Sequence, residues 1–74
     1  MMNARYDRDN LLAQGHAALH AGNITAARSR FADMRAMQPD DPDALHGLAC
    51  VALAAGRADL AIGLAGRALL VAPR

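Results

Sequence analysis

Residues 18–27 read ALHAGNITAA and residues 52–61 read ALAAGRADLA, one phrase written twice at an offset of 34 residues. In each copy an apolar run closes on a glycine and a polar residue, the punctuation that stops one helix and starts another. Outward from the phrase, the same offset lays Asp9 on Asp43, Leu11 on Leu45, Ala18 on Ala52 and Leu19 on Leu53. It also lays Ala21 on Ala55, Gly22 on Gly56, Ala27 on Ala61 and Pro39 on Pro73. An alanine-rich chain produces some such coincidences by composition alone. Both turn glycines and both terminal prolines falling in register is instead the mark of a unit repeated twice.

Gly22-Asn23, Pro39-Asp40-Asp41-Pro42 and Gly56-Arg57 divide the chain into four segments of helical length. The first, about Asp9 to Ala21, carries Leu11, Leu12, Gly15, Ala18 and Leu19 at helical spacing. The second, about Ile24 to Met37, carries Ile24, Ala27, Phe31, Met34 and Met37. Asp41 is a natural N-cap before Pro42, whose fixed φ and missing N–H suit the first helical position, and Asp43 meets the positive end of the dipole. That predicts a third helix from about Pro42 to Ala55. A fourth, about Ala58 to Val71, opens with Asp59 in its first turn and stops before Pro73. Alanine, the best helix former, supplies nineteen residues. Short turns between such helices make antiparallel hairpins. The expected fold is all-α: two helical hairpins, about 9–41 and 42–74, behind an N-terminal extension of residues 1–8.

Composition narrows the function classes. A chain of 74 residues is one small domain or a piece of a larger one. Such a chain buries only roughly 60% of its unfolded surface and leans on partners for stability. One cysteine, Cys50, cannot form an internal disulfide, which fits a reducing compartment and makes the cytoplasm the expected location. All eight basic residues are Arg and all seven acidic residues are Asp, so the net charge is +1. Nucleic-acid binding calls for a stronger basic excess. This Lys-free, Arg- and Ala-rich usage fits a GC-rich bacterial genome. Residues 1–10 lack the apolar core of an export signal. Stretches free of Arg and Asp, such as Ala44 to Gly56, fall short of the about 20 residues a bilayer span needs.

Catalytic constellations are missing too. Ser29 is the sole serine and has no His-Asp context on its helix, and Cys50 lacks a basic neighbour to ionise it, with only His46 one turn away. Gly63 and Gly66 lie inside a helix and not between a strand and a helix, so they do not cradle phosphate. No enzyme activity and no cofactor are expected. Arg28, Arg30 and Arg35, with Asp33 among them, read as the solvated face of an amphipathic helix, and Met34 and Met37 as core filling.

The chain resembles the tetratricopeptide repeats, whose 34-residue helix-turn-helix carries Leu-Gly, an Ala-x3-Phe pair and a final Pro. In the first unit Leu11, Gln14-Gly15, Ala18, Ala27-x3-Phe31 and Pro39 match this pattern. In the second, Leu45, Leu48-Ala49, Ala52, Ala61-x3-Ala65, Ala68 and Pro73 match with smaller residues throughout. Every departure is towards a smaller side chain, so thinner and weaker interhelix layers are expected. The resemblance implies a short right-handed solenoid. It further implies a non-enzymatic adaptor, scaffold or chaperone-like module whose first helices line a concave groove for a peptide or partner helix. Such modules occur as secretion chaperones, assembly factors and extensions of transferases.

Helical spacing then places Asp9, Leu12, His16, Leu19 and His20 on one inner ridge and Asp43, His46, Cys50 and Leu53 on its neighbour. The clamp of Lys, Asn and Arg with which some relatives of this kind grip a carboxylate terminus is not matched, since Leu12, His16 and Gly47 stand where it would be. His16 and His20, and His46 and Cys50, are four apart and so share a helical face, a spacing that admits a borderline metal. The plainer reading is that these polar groove residues meet a ligand or water and that Cys50 is a small packed hydrophobe, so no metal is assigned.

The last helix, from Leu60 to Val71, is apolar all round with Arg67 as its one charge. An end helix of a solenoid normally turns a polar face to water. Leu60, Ile62, Gly63, Leu64, Gly66, Leu69, Leu70 and Val71 are therefore expected to self-associate, to dock a partner, or to be covered by further repeats of a longer chain. Gly63 and Gly66, costly inside a helix, suggest close approach of another backbone.

Overall fold

A computed structural model describes residues 4–71, with side-chain surroundings for 7–70. Four helices follow one another: α1 (Ala4–His20), α2 (Ile24–Met37), α3 (Pro42–Ala54) and α4 (Ala58–Val71). They pair as α1 with α2 and α3 with α4, and α3 packs on α2 and reaches α1. No strand occurs among the described residues, and no helix there is long and apolar enough to cross a membrane. α1 begins at Ala4, ahead of the expected Asp9, so Arg8 belongs to the helix and not to an extension. Pro73 lies outside the described residues.

The repeated phrase is a repeated turn. Gly22 and Gly56 have φ of 77° and 79°, a left-handed conformation open to glycine at little cost. Around the first, Asn23 N–H donates to the Ala18 carbonyl at 2.8 Å and Gly22 N–H to that of Leu19 at 3.0 Å. Around the second, Arg57 N–H donates to Ala52 at 2.7 Å and Gly56 N–H to Leu53 at 3.0 Å. Each glycine thus closes a Schellman motif over the last turn of its helix. Asn23 goes on to cap α2, its side chain accepting from Ala26 N–H at 3.2 Å. Arg57 stands at the same place before α4 and has no side-chain acceptor to offer.

Core layers differ between the hairpins. The first is built on Phe31, Met34 and Ala27 of α2 with Ala44 and Val51 of α3, and Leu11, Leu12, Leu19, Ile24 and Leu48 pack around it. Phe31 is fully buried, and its ring lies where side chains on α1 and α3 would otherwise go. A Cβ on Gly15 would stand 2.6 Å from its Cζ, and one on Gly47 would stand 2.5 Å from its Cδ1. The layer therefore reads small, large, small across three helices. Gly47, placed above among groove positions, is in fact buried against this ring. Met37, expected in the core, is largely exposed at the end of α2. The second hairpin has only Ala49, Ala52 and Ala61, with Leu64 alongside, as the small residues at these positions led one to expect.

One ionic cluster ties the hairpins together. Arg8 donates from Nε and Nη2 to both carboxylate oxygens of Asp41 at 2.7 and 2.9 Å. It also reaches Asp43 at 2.5 Å and Asp9 at 3.3 Å. Asp41 is 1% exposed and caps α3 as predicted, accepting from Asp43 N–H at 3.0 Å. Burial on its own pushes the Asp41 carboxyl up. The Arg8 hydrogen bond, the backbone N–H of Asp43 and the Arg8 charge outweigh it and hold the group below the ordinary carboxylate range. Those same bonds to Asp41, then to Asp43, raise the Arg8 guanidinium.

The glycines divide into two kinds. Gly15→Ala and Gly47→Ala, pressed on Phe31, should each destabilise by about 1–3 kcal/mol through overpacking. Nothing lies within 4 Å of a Cβ built on Gly63 or Gly66, so the close backbone approach expected there is absent. Gly63→Ala and Gly66→Ala should raise stability by up to about 1 kcal/mol each, the propensity difference alone. Urea unfolding followed by circular dichroism reads both signs.

The Arg8–Asp41 pair makes stability depend on pH. Because the folded pKa of Asp41 lies below its unfolded value, the contribution is complete above about pH 4 and fades as pH falls through the folded value. Arg8→Ala should cost about 2 kcal/mol at pH 7, since it strips a buried carboxylate of its partner. It should also move the acid-unfolding midpoint upward. Unfolding curves between pH 2 and 7 for both proteins measure the two effects.

Candidate functional site

The α1–α3 face carries the ridge residues. Asp9, His16 and His20 on α1 and Asp43, His46 and Leu53 on α3 are exposed, while Leu12, Leu19 and Cys50 are half-buried. Leu12 and Leu19 pack against the Phe31 layer and show one edge to solvent, so they brace this face more than they form it. His16 leans on the same layer, its ring 5.3 Å from that of Phe31 in an edge-to-face arrangement at 72°. At the acidic end, Asp9 and Asp43 are not free carboxylates, because Arg8 meets both. Sequence reasoning set Arg8 aside. The repeat register could have found it, since one repeat after Arg8 comes Pro42, the neighbour of Asp41.

His46 and Cys50 do meet, with Sγ 3.8 Å from Nε2. The wider cluster does not close. Among the described residues no group of three or more His, Cys, Asp or Glu side chains is arranged to hold a metal ion, so His16 and His20 remain apart from His46 and Cys50. Their spacing puts each pair on one helical face but says nothing about convergence across helices. Cys50 faces a different environment, a shallow depression of about 230 Å³ between α3 and α4 lined by His46, Ala49, Leu53, Ala61, Ile62 and Ala65.

The residues expected to self-associate fall on two sides of α4. Ile62 lines the depression just described, whereas Leu60 and Leu64 border a separate cleft shared with α2 and α3. Leu69 and Leu70 project from the last turns, Gly63 and Gly66 are open to solvent, and the side chain of Val71 lies outside the described residues. Arg67 folds back to the interhairpin linker, donating from Nη2 to Asp40 at 3.0 Å. That contact takes the one charge on the body of α4 away from its apolar flank.

Set one repeat back, the lining of the α3–α4 depression becomes Leu12, Gly15, His16, Leu19, Ala27, Arg28 and Phe31. Four of these, Leu12, Leu19, Ala27 and Phe31, belong to the layer that α3 closes. The end of the second hairpin thus presents the repeat positions that the first hairpin covers with its neighbour.

A family model described as Tetratricopeptide repeat matches residues 18–74, the greater part of the chain. No curated protein and no solved structure matches it.

The absence of a third ligand beside His46 and Cys50 among the described residues has a spectroscopic consequence. Stoichiometric cobalt(II) added to the reduced protein should produce no thiolate-to-metal absorption band. Appearance of such a band would mean that the two ridges close around an ion in solution.

Proposed function

The chain belongs to the tetratricopeptide repeat family, and we propose that it works as a two-repeat interaction module, about 9–41 and 42–74, with two contact surfaces. Repeats of this family generally mediate protein–protein interaction. The first surface is the α1–α3 groove. Its exposed histidines and half-buried leucines suit a partner segment that is partly apolar, with polar groups near His16 and His46. The second is the α3–α4 end face, where two copies of the chain join. No catalytic step is assigned to either surface, and the proposed setting is the cytoplasm, which suits an unpaired cysteine.

The observation that carries the second surface is exposure in the wrong place. Leu53 is 61% exposed, Ile62 74%, Leu69 71% and Leu70 81%, the first two lining the α3–α4 depression and the last two in the final turns of α4. A cluster of this kind marks an interaction site more often than an idle surface. Stacking head to tail would lay this flank on α1, whose outer side offers Asn10, Gln14 and other exposed polar groups. Pairing flank to flank across a two-fold axis buries apolar against apolar on both copies and closes the assembly. It also provides burial that the thin alanine layer of the second hairpin lacks.

The molar mass from light scattering over a concentration series tests this. The expected value is twice the 7.7 kDa of the chain, and Ile62→Arg or Leu69→Arg should return it to a single copy. A stable monomer at millimolar protein would sink the dimer.

A further inference from the structure

Between α2, α3 and α4 lies a cleft of about 250 Å³ that shares no residue with the α1–α3 groove or the α3–α4 depression. Its floor is aliphatic, formed by Leu48 and Val51 of α3 with Leu60 and Leu64 of α4. Three guanidinium groups stand on its rim. Arg28 and Arg35 are two helical turns apart on the same side of α2, and Arg57 comes from the turn before α4.

These arginines differ from Arg8 and Arg67 in their partners. Among the described residues, Arg8 holds Asp9, Asp41 and Asp43, and Arg67 holds Asp40. Neither Arg28 nor Arg35 has a carboxylate within 4.0 Å, and Arg57 only brushes Asp59 at 3.9 Å, both groups being well exposed. Arg35 instead donates from Nε to the Pro39 carbonyl at 3.2 Å, which anchors its side chain at the α2 end. The chain as a whole is nearly neutral, at +1. Three arginines with no tight carboxylate partner among the described residues therefore border one apolar cleft, while Arg30, likewise without one, stands outside it. A solvated helix face accounts for one charged row, but not for three arginines from two elements bordering a floor of leucine and valine.

We propose that this cleft binds an acidic, aliphatic peptide segment of another protein. One aliphatic side chain of the segment enters between Leu48, Val51, Leu60 and Leu64, and carboxylates on either side of it meet Arg28, Arg35 and Arg57. Guanidinium groups suit this task, because their planar forks take carboxylates in pairs of hydrogen bonds. The size is right for a side chain and small for a cofactor, whose pockets start at about 300 Å³. Nucleic acid fits poorly: nothing aromatic lines the cleft, so a base has no face to stack on. The site adds to the proposed groove and dimer surfaces and stands or falls separately from them.

Fluorescence anisotropy with a labelled peptide of alternating Glu and Leu, together with amide shifts of the isotopically labelled full chain, tests the assignment. Saturable binding is expected, weakening with added salt and by about tenfold or more in Arg28→Gln/Arg35→Gln. Amide shifts should gather at Leu48, Val51, Leu60 and Leu64. Arg28→Gln alone, which removes no hydrogen bond within the protein, serves if the double variant loses helicity. The proposal is overturned if the peptide does not bind, if its Gln-for-Glu version binds equally well, or if the Arg variants bind unchanged. Shifts confined to His16 and His46 would overturn it in favour of the groove, and tighter binding of oligothymidylate in favour of nucleic acid.

Discussion

Because Gly15 and Gly47 carry no side chains, the ring of Phe31 rests against the bodies of α1 and α3 at once, and three helices close around a single aromatic group. Burial of such a side chain is worth about 1.5–3 kcal/mol, a large share of what a chain this small can gather. The geometry is demanding on all three sides, since a methyl group at either glycine takes space the ring already fills. It also sets the face above. His16 lies edge-on to the same ring, and Leu12 and Leu19 pack against the same layer, so the groove side chains of α1 take their positions from it. The Arg8–Asp41 contact acts at one end of that arrangement, fixing the start of α3 against α1 through both carboxylate oxygens and the helix cap.

The second hairpin repeats the turn but not the layer. One repeat after Phe31 stands Ala65, and one after Gly15 stands Ala49, so the small-large pairing of α1 with α2 becomes small-small between α3 and α4. Three alanines and Leu64 hold α3 to α4 where an aromatic, a methionine and their neighbours hold the first hairpin to α3. The flank that would receive a following helix is thereby shallow and apolar. Whatever covers it must bring its own large side chains, because the hairpin supplies none at the Phe31 position. Ile62, Leu69 and Leu70 can do this for a second copy, which is the physical reason that a symmetric pairing suits this face better than a stack on the polar outer side of α1.

Much of the backbone was legible in the sequence, and the reason is local chemistry. The positions Ala18, Leu19 and Gly22 recur at Ala52, Leu53 and Gly56 because they are the acceptors and the left-handed residue of one turn, and such a turn is encoded within six residues. The cap at Asp41 with Pro42 behind it is equally local. What depends on contacts between distant residues was harder to see. Gly15 was recognised as part of the repeat pattern, yet that Gly47 faces the same ring cannot be read from spacing, because it does not stand at the matching repeat position. Gly63 and Gly66 misled for a related reason: a glycine inside a helix signals a close neighbour only when one is there. The groove residues share their ridges as helical periodicity requires, but the union of histidines and cysteine across two helices depended on a distance that periodicity does not carry.

Charge adds a last constraint that the sequence shows only as a total. With eight arginines and seven aspartates the chain looks balanced, and a balanced chain gives no reason to expect a charged site. Folding distributes the aspartates unequally. Asp9, Asp41 and Asp43 converge on Arg8, and Asp40 takes Arg67, so four of the seven aspartates are engaged at the junction between the hairpins. α2 is left with arginines whose only close acceptor is the carbonyl of Pro39. A guanidinium at a protein surface is well solvated and this imbalance costs the monomer little. Beside an aliphatic cleft, though, the same group is already positioned for a carboxylate that arrives with an apolar side chain, and the burial of that side chain strengthens the ionic contact by excluding water from it. The ionic contacts that join the repeats thus leave the arginines of α2 available, and the cleft beside them gives that availability a direction.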